Sequence, residues 1–234
     1  METIAHKQGV DRWAESTPLH LLYLPLIKKL IPDALVIHII RDGRDVAVSL
    51  NKMGWIRPYA WDRRRSLVTA GLFWKWIVSK GRKYGRTMGS DYLEIHYEDL
   101  VSQPRETLAR LSTFTDHDLD YDRIQAAGLG SVHNPNSSFK TDNQHKELSP
   151  VGRWKTLLSP TEIAELESVI GDLLVEAGYT LVTPPEQASP PTAVRLMSVL
   201  YPTVFDVKFW LKSNTPLGQI ADVGRMGITE ARDL

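Results

Sequence analysis

The chain has no cysteine among its 234 residues. That removes disulfides, thiolate zinc sites and cysteine nucleophiles together. It also lacks net charge: 28 Lys and Arg offset 28 Asp and Glu. No overall field draws it to nucleic acid or to an anionic membrane, so any anion site has to be local. No run approaches the roughly 20 consecutive apolar residues of a membrane span. The start, METIAHKQGVDRWAEST, has no basic-then-apolar signal pattern. These absences lead to the expectation of a soluble, cytoplasmic protein. Three signatures of known chemistry are missing as well: the phosphate loop G-x-x-x-x-G-K-[ST], the zinc motif H-E-x-x-H and the nucleophile elbow G-x-S-x-G. Of the seven histidines, His133 and His145 lack ligand spacing and His38 and His96 fall in strand-like runs, so no metal is expected. The basic stretches WDRRRS and KGRKYGR sit beside aromatics, but their helical placement reads as solvated faces rather than as a nucleic-acid surface.

What is present alternates strand with helix, the pattern of a layered α/β fold. PLHLLYLPLIKKL, from Pro18, carries a helical apolar face interrupted by Pro25. ALVIHII then forms a β-rich run with little alternation, which suits a strand of a parallel sheet covered on both faces. Strands are expected over 35–40 and 92–97, the second from the alternation in DYLEIHY. Residues 61–84 read as an amphipathic helix with Leu67, Trp74 and Ile77 on one side. QPRETLARLSTFT is a further helix, with Pro104 in a first turn where a missing N–H costs little. The polar, turn-rich stretch 129–149 reads as a loop. SPTEIAELESVIGDLLVEAGY is a helix with Ser159 and Glu162 spaced as a capping box and Gly178 as its stop. Past TPPEQASPP the composition changes, so one domain over 1–183 and a helical extension over 184–234 are expected.

The sharpest chemical feature is VIHIIRDGRDVAVSL, residues 36–50. In an open parallel sheet ligands bind at the carboxyl ends of the strands, and Arg41 stands at such an end with a guanidinium suited to phosphate. Ser49, eight residues on, falls into the helix that follows and can reach the same region. The helix start near Asp45 adds backbone donors, and Asp42 and Asp45 can hold the two arginines in place. This is an anion-binding corner; the alternative is a solvated turn whose surface ion pairs each contribute at most about 1 kcal/mol.

The same stretch resembles the 3′-phosphate-binding segment of sulfotransferases that use 3′-phosphoadenosine 5′-phosphosulfate (PAPS). RWAESTPLH is similar to the family's W-x-E-x-[ST]-P segment, and LEIHYEDLVSQPRETLARLSTF to its Y-E-D-L-x-x-x-P segment. VGRWKTLLSPTEIAELE fits a bacterial-type branch. Together the four cover about residues 11–180 in the family's order. The resemblance implies a three-layer parallel-sheet α/β fold related to P-loop NTPases, N-terminally incomplete, with the helical C-terminal extension. It implies sulfonate transfer from PAPS to an acceptor hydroxyl or amine on a small molecule, glycan or peptide. Arg41 and Ser49 match the pair that holds the 3′-phosphate, Tyr97 an aromatic bordering the adenine, and Arg153 a basic residue of the late loop that closes on that phosphate. Each of the last two has a plainer reading, Tyr97 as an inward strand residue and Arg153 as a surface charge beside Trp154.

The family's opening strand and its P-[KR]-[ST]-G-[ST]-[ST] loop, which wraps the 5′-phosphosulfate with backbone N–H groups, have no counterpart in this sequence. Where several relatives carry a lysine in the ESTP segment, this chain has Ser16. Glu15 and His20 are the candidate bases, against readings as a helix-cap acid and a surface histidine. The competing expectation is a non-catalytic, truncated relative acting as a nucleotide-binding or interaction fragment, with a P-loop kinase relative as a third. Acceptor choice is assigned to the loops 51–66 and 129–149, and neither the acceptor nor an oligomeric state is written in the sequence.

Overall fold

The structure, a computed structural model, describes residues 9, 12–54, 56, 66–126, 151–184 and 190–215. The loop expected over 129–149 and the start of the helix expected from 61 lie outside them.

Two strands, β1 (Val36–Ile40) and β2 (Tyr92–His96), pair in parallel, Val36 opposite Tyr92 and Ile40 opposite His96. A parallel pair needs a crossover, and among the described residues it carries two α-helices and a 3₁₀ turn: α2 (Gly43–Met53) leaves the end of β1, and α3 (Leu67–Gly85) leads back toward β2 through Gly89–Asp91. A short helix α1 (Leu24–Leu30) precedes β1, entered through a 3₁₀ turn over Pro18–Tyr23. After β2 come α4 (Tyr97–Ser102), α5 (Pro104–Thr115) and α6 (Tyr121–Ala126), then α7 (Trp154–Leu157), α8 (Pro160–Glu176) and α9 (Thr192–Asn214). The described chain is therefore mostly helical, an α/β arrangement around a small parallel sheet.

The helix ends follow from local chemistry. Asp42 caps α2 by accepting the Arg44 N–H, and Gly54 closes it at φ 64°, a left-handed conformation that glycine adopts without strain. Ser66 caps α3 through the Thr69 N–H. Ser159 and Glu162 form the expected capping box of α8, and Gly178, at φ 83°, follows its end.

Three expectations need correction. Tyr97 does not end the second strand but opens α4, because the chain turns helical directly after His96. The helix α3 is not amphipathic over most of its length. Val68 to Trp74 are all buried, with Trp76, Ile77 and Val78 after them, so this part runs through the core, with Lys75 reaching out to Asp172 and the more polar residues confined to the last turns. And β1 is covered on one face rather than two. His38 and Ile40 are 3% and 1% exposed against the helices, while Ile37 and Ile39 on the other face are 40% and 51% exposed.

The core sits between α3, α8 and α9. Leu166, Ile170 and Leu174 of α8 are fully buried in it. Phe205 of α9 packs edge-on to Phe73 at 5.6 Å and against Trp76 at 5.3 Å. The Trp76 indole N–H donates to Asp206 at 2.8 Å, so the apolar contact carries a polar anchor. Gly43, at the start of α2, lies against the Trp74 ring so closely that a Cβ there would stand 2.6 Å from Cε3. That contact sets α2, and with it the end of β1, hard against the core helix.

Candidate anion-binding site

The two arginines of RDGRD go to different places. Arg44 turns inward and is 3% exposed. Its Nε and Nη2 donate to Asp42, its Nη1 donates to Glu167 at 2.5 Å and to the Thr180 carbonyl at 3.0 Å, and its guanidinium stacks on Trp154 at 3.9 Å. Burial works against the charge, but Asp42 and Glu167 outweigh it and raise the pKa above the ordinary guanidinium value. Glu167 also accepts the Val182 and Thr183 N–H groups. Arg44 is thus a structural clamp joining α2, α7, α8 and the segment after α8, and its donors are spent inside the protein.

Arg41 turns to the carboxyl end of the sheet. Its side chain keeps 25% of its surface exposed. The guanidinium lies over the Tyr97 ring at 4.9 Å, a cation–π contact across the ends of the two strands. Nη2 stands 3.7 Å from Asp45, one helical turn on. Asp45 in turn accepts the backbone N–H groups of Gly152 at 2.7 Å and Trp154 at 2.9 Å. Burial pushes the Asp45 carboxyl above its ordinary value, more than those two bonds and Arg41 pull it down.

Between the two bonded amides the chain presents Arg153, half-buried just ahead of α7. Its pKa is lowered first by burial and then by the positive charge of Arg41, with Asp45 and Tyr97 acting the other way. Arg41 and Arg153, far apart in sequence, therefore feel each other's charge at the strand end. Three of the four expected cofactor residues, Arg41, Tyr97 and Arg153, come together here. Ser49 lies one turn beyond Asp45 on α2, half-buried, and residues four apart share a helix face.

The contacts of the two candidate bases are local. Thr17 Oγ1 donates to Glu15, which is exposed, at 2.5 Å. His20 sits half-buried in the 3₁₀ turn, its N–H bonded to the Thr17 carbonyl. Sequence reasoning missed Glu98, whose carboxylate accepts the Asp42 N–H and the Tyr179 hydroxyl, both at 2.9 Å, and so ties the end of β1 to the chain after α8. Its position in HYEDL, directly after a strand, was the available signal.

A shallow cleft at the opposite, amino end of the strands is lined by Arg82, Arg86, Tyr92, Glu94 and Glu176. Its arginines are committed to its own carboxylates: Arg82 holds Glu94 with two bonds, and Arg86 meets Glu176 at 2.9 Å. The carboxyl end instead gathers Arg41, Asp45 and Tyr97 with the turn that carries Arg153.

Among the described residues no helix is long and apolar enough to cross a membrane, and no cluster of His, Asp and Glu is arranged to hold a metal ion. No curated protein matches the chain. The model of the sulfotransferase family matches residues 1–121, which takes in β1, the Arg41 corner, the core helix and Tyr97. Both strands, Arg41 and Tyr97 lie in the matched half, Arg153 beyond it, and the chain belongs to the sulfotransferase family.

Proposed function

We propose that the chain transfers a sulfonate group from PAPS to a hydroxyl or amine of a small molecule, glycan or peptide. Arg41, Ser49 and Arg153 receive the donor's 3′-phosphate and Tyr97 borders its adenine. The observation that carries this reading is the approach of Arg41 and Arg153 around Asp45, next to the Tyr97 ring. Two like charges near one another repel, and an anion placed between them relieves the repulsion. An aromatic ring beside that anion fits a nucleotide better than a bare phosphate. Family membership supports sulfonate transfer as the chemistry.

Bound there, PAPS would supply an activated sulfonate, whose bond to the 5′-phosphate breaks as the acceptor oxygen or nitrogen bonds to sulfur, with adenosine 3′,5′-bisphosphate leaving. The chain's own tasks are to anchor the phosphate and to take the acceptor's proton, for which Glu15 and His20 are the candidates. In this reading the parallel pair belongs to a three-layer sheet of the P-loop NTPase kind. Residues 1–183 form the transferase unit, and 184–234 form a cytoplasmic protein's helical extension, docked through α9.

The test is transfer of sulfur-labelled sulfonate from PAPS to a panel of phenols, sugars and amines, with and without excess adenosine 3′,5′-bisphosphate. The expected result is labelled product on one acceptor class, suppressed by the bisphosphate. Binding of the bisphosphate without transfer to any acceptor would favour a nucleotide-binding protein instead.

A further inference from the structure

We infer that Asp45 is a positioning residue: it ties the turn carrying Arg153 to the strand end carrying Arg41, and so sets how tightly the two hold an anion. The inference rests on the phosphate-binding role proposed for those arginines.

The Asp45 side chain has no exposed surface, although it is a carboxylate in the first turn of a helix, where solvent is normally within reach. Burying a carboxylate is costly unless hydrogen bonds replace its water. Here both oxygens are used on one short turn: Oδ2 accepts the Gly152 N–H and Oδ1 the Trp154 N–H. The residue between those two amides is Arg153. Oδ2 also faces Arg41 at 3.7 Å, so one side chain meets the Arg41 guanidinium and holds the backbone on either side of Arg153.

The turn is suited to being gripped in this way. Gly152 sits at φ 75°, a left-handed conformation that other residues adopt with strain. Trp154 is anchored a second time, its indole N–H donating to Asp42 at 3.1 Å and its ring lying under Arg44. Asp42 and Asp45, three residues apart on the start of α2, thus hold the turn from two sides. Among the described residues, the charged groups acting on Asp45 include Arg41, Arg153 and Asp42.

A counter-charge and a positioning residue make opposite demands on one substitution. Asp45→Asn removes a negative charge from beside the anion, so if Asp45 merely balanced the arginines, an anion would bind more tightly. If it positions Arg153, the Asn amide group opposes a backbone N–H, the turn loosens and binding weakens.

The experiment is calorimetric titration of the whole chain with adenosine 3′,5′-bisphosphate, together with amide exchange at Gly152 and Trp154. Asp45→Asn is expected to weaken binding about 10-fold, the low end for a bond to a charged group, and to speed exchange at both amides. In an Arg153→Ala background the same substitution should change affinity little, because residues acting through one another are not additive. Gly152→Ala, which strains the turn but leaves the Asp45 pocket intact, serves should Asp45→Asn fail to fold, and should also weaken binding. Unchanged or tighter binding by Asp45→Asn, or an equal loss with and without Arg153, overturns the inference. If the wild-type chain does not bind the bisphosphate, the phosphate-binding role itself fails, and amide exchange alone then decides whether Asp45 holds the turn.

Discussion

Arg44 and Glu167 meet at 2.5 Å across 123 residues of chain, with side chains 3% and 2% exposed. Removing one partner of a buried pair leaves the other charged and unsolvated, which costs about 3–5 kcal/mol. Arg44→Ala strands two carboxylates, Asp42 and Glu167, so urea unfolding should show a loss at the upper end of that range. Arg86→Ala is the comparison. Its pair with Glu176 is 74% and 51% exposed, and should contribute less than about 1 kcal/mol. Equal losses for the two would contradict the structural role given to Arg44.

Glu94 links stability to acid. Burial raises its pKa, but the His38 ring at 3.6 Å and the Arg82 nitrogens at 2.6 and 3.0 Å outweigh it and bring it down to about 2. A carboxyl whose folded pKa lies below its unfolded value stabilises the fold above the unfolded pKa. That contribution is lost as pH falls through the folded one. For Glu94 the window runs from about pH 4.5 down to about 2, and the contribution is on the order of 3 kcal/mol. Thermal unfolding of Glu94→Gln should fall less steeply than that of wild type across this window, and parallel curves would remove Glu94 from the explanation.

At the other end of that network, Gly85 touches Tyr92 directly. A Cβ there would stand 2.4 Å from the ring, which is tethered to His38 at 2.5 Å and Glu94 at 3.2 Å and so cannot swing aside freely. Alanine is the better helix former by about 1 kcal/mol, yet overpacking costs about 1–3 kcal/mol. Gly85→Ala is therefore expected to lower the melting temperature, and a gain would show that the ring yields.

Much of the fold could be read from local pattern. The apolar run VIHII and the alternation in YLEIH became the two strands, and Ser159 and Glu162 became a capping box, because each depends on residues close in sequence. Arg41 at a strand end was legible for the same reason. What could not be read were pairings over long separations. Arg41 and Arg44 look alike in RDGRD, and only Glu167 and Trp154 decide which one is buried. The alternation that placed Tyr97 in a strand continues one residue past the point where the helix begins. Apolarity on both sides of β1 reads as two covered faces, whereas Ile37 and Ile39 remain partly open.

The contact of α9 with the core rests on Phe205, which is 4% exposed and packed on Phe73, Trp76 and Tyr201. Phe205→Ala should cost about 3–5 kcal/mol and lower a single unfolding transition shared with the rest of the chain. A separate, earlier transition confined to residues 192–214 would mean that the helix is an appendage rather than part of the core.

The most direct test of the central claim is calorimetric titration of adenosine 3′,5′-bisphosphate into wild type and Arg41→Ala. Arg41 stands at the end of β1 against Asp45 and the Tyr97 ring, in the corner assigned to the phosphate, so its loss should be felt in binding. A lost hydrogen bond to a charged group corresponds to about 10- to 100-fold in affinity. Weaker binding of that size by Arg41→Ala, in a variant that still unfolds cooperatively, is the expected result. Equal affinity for both proteins would contradict the assignment of this corner to the 3′-phosphate.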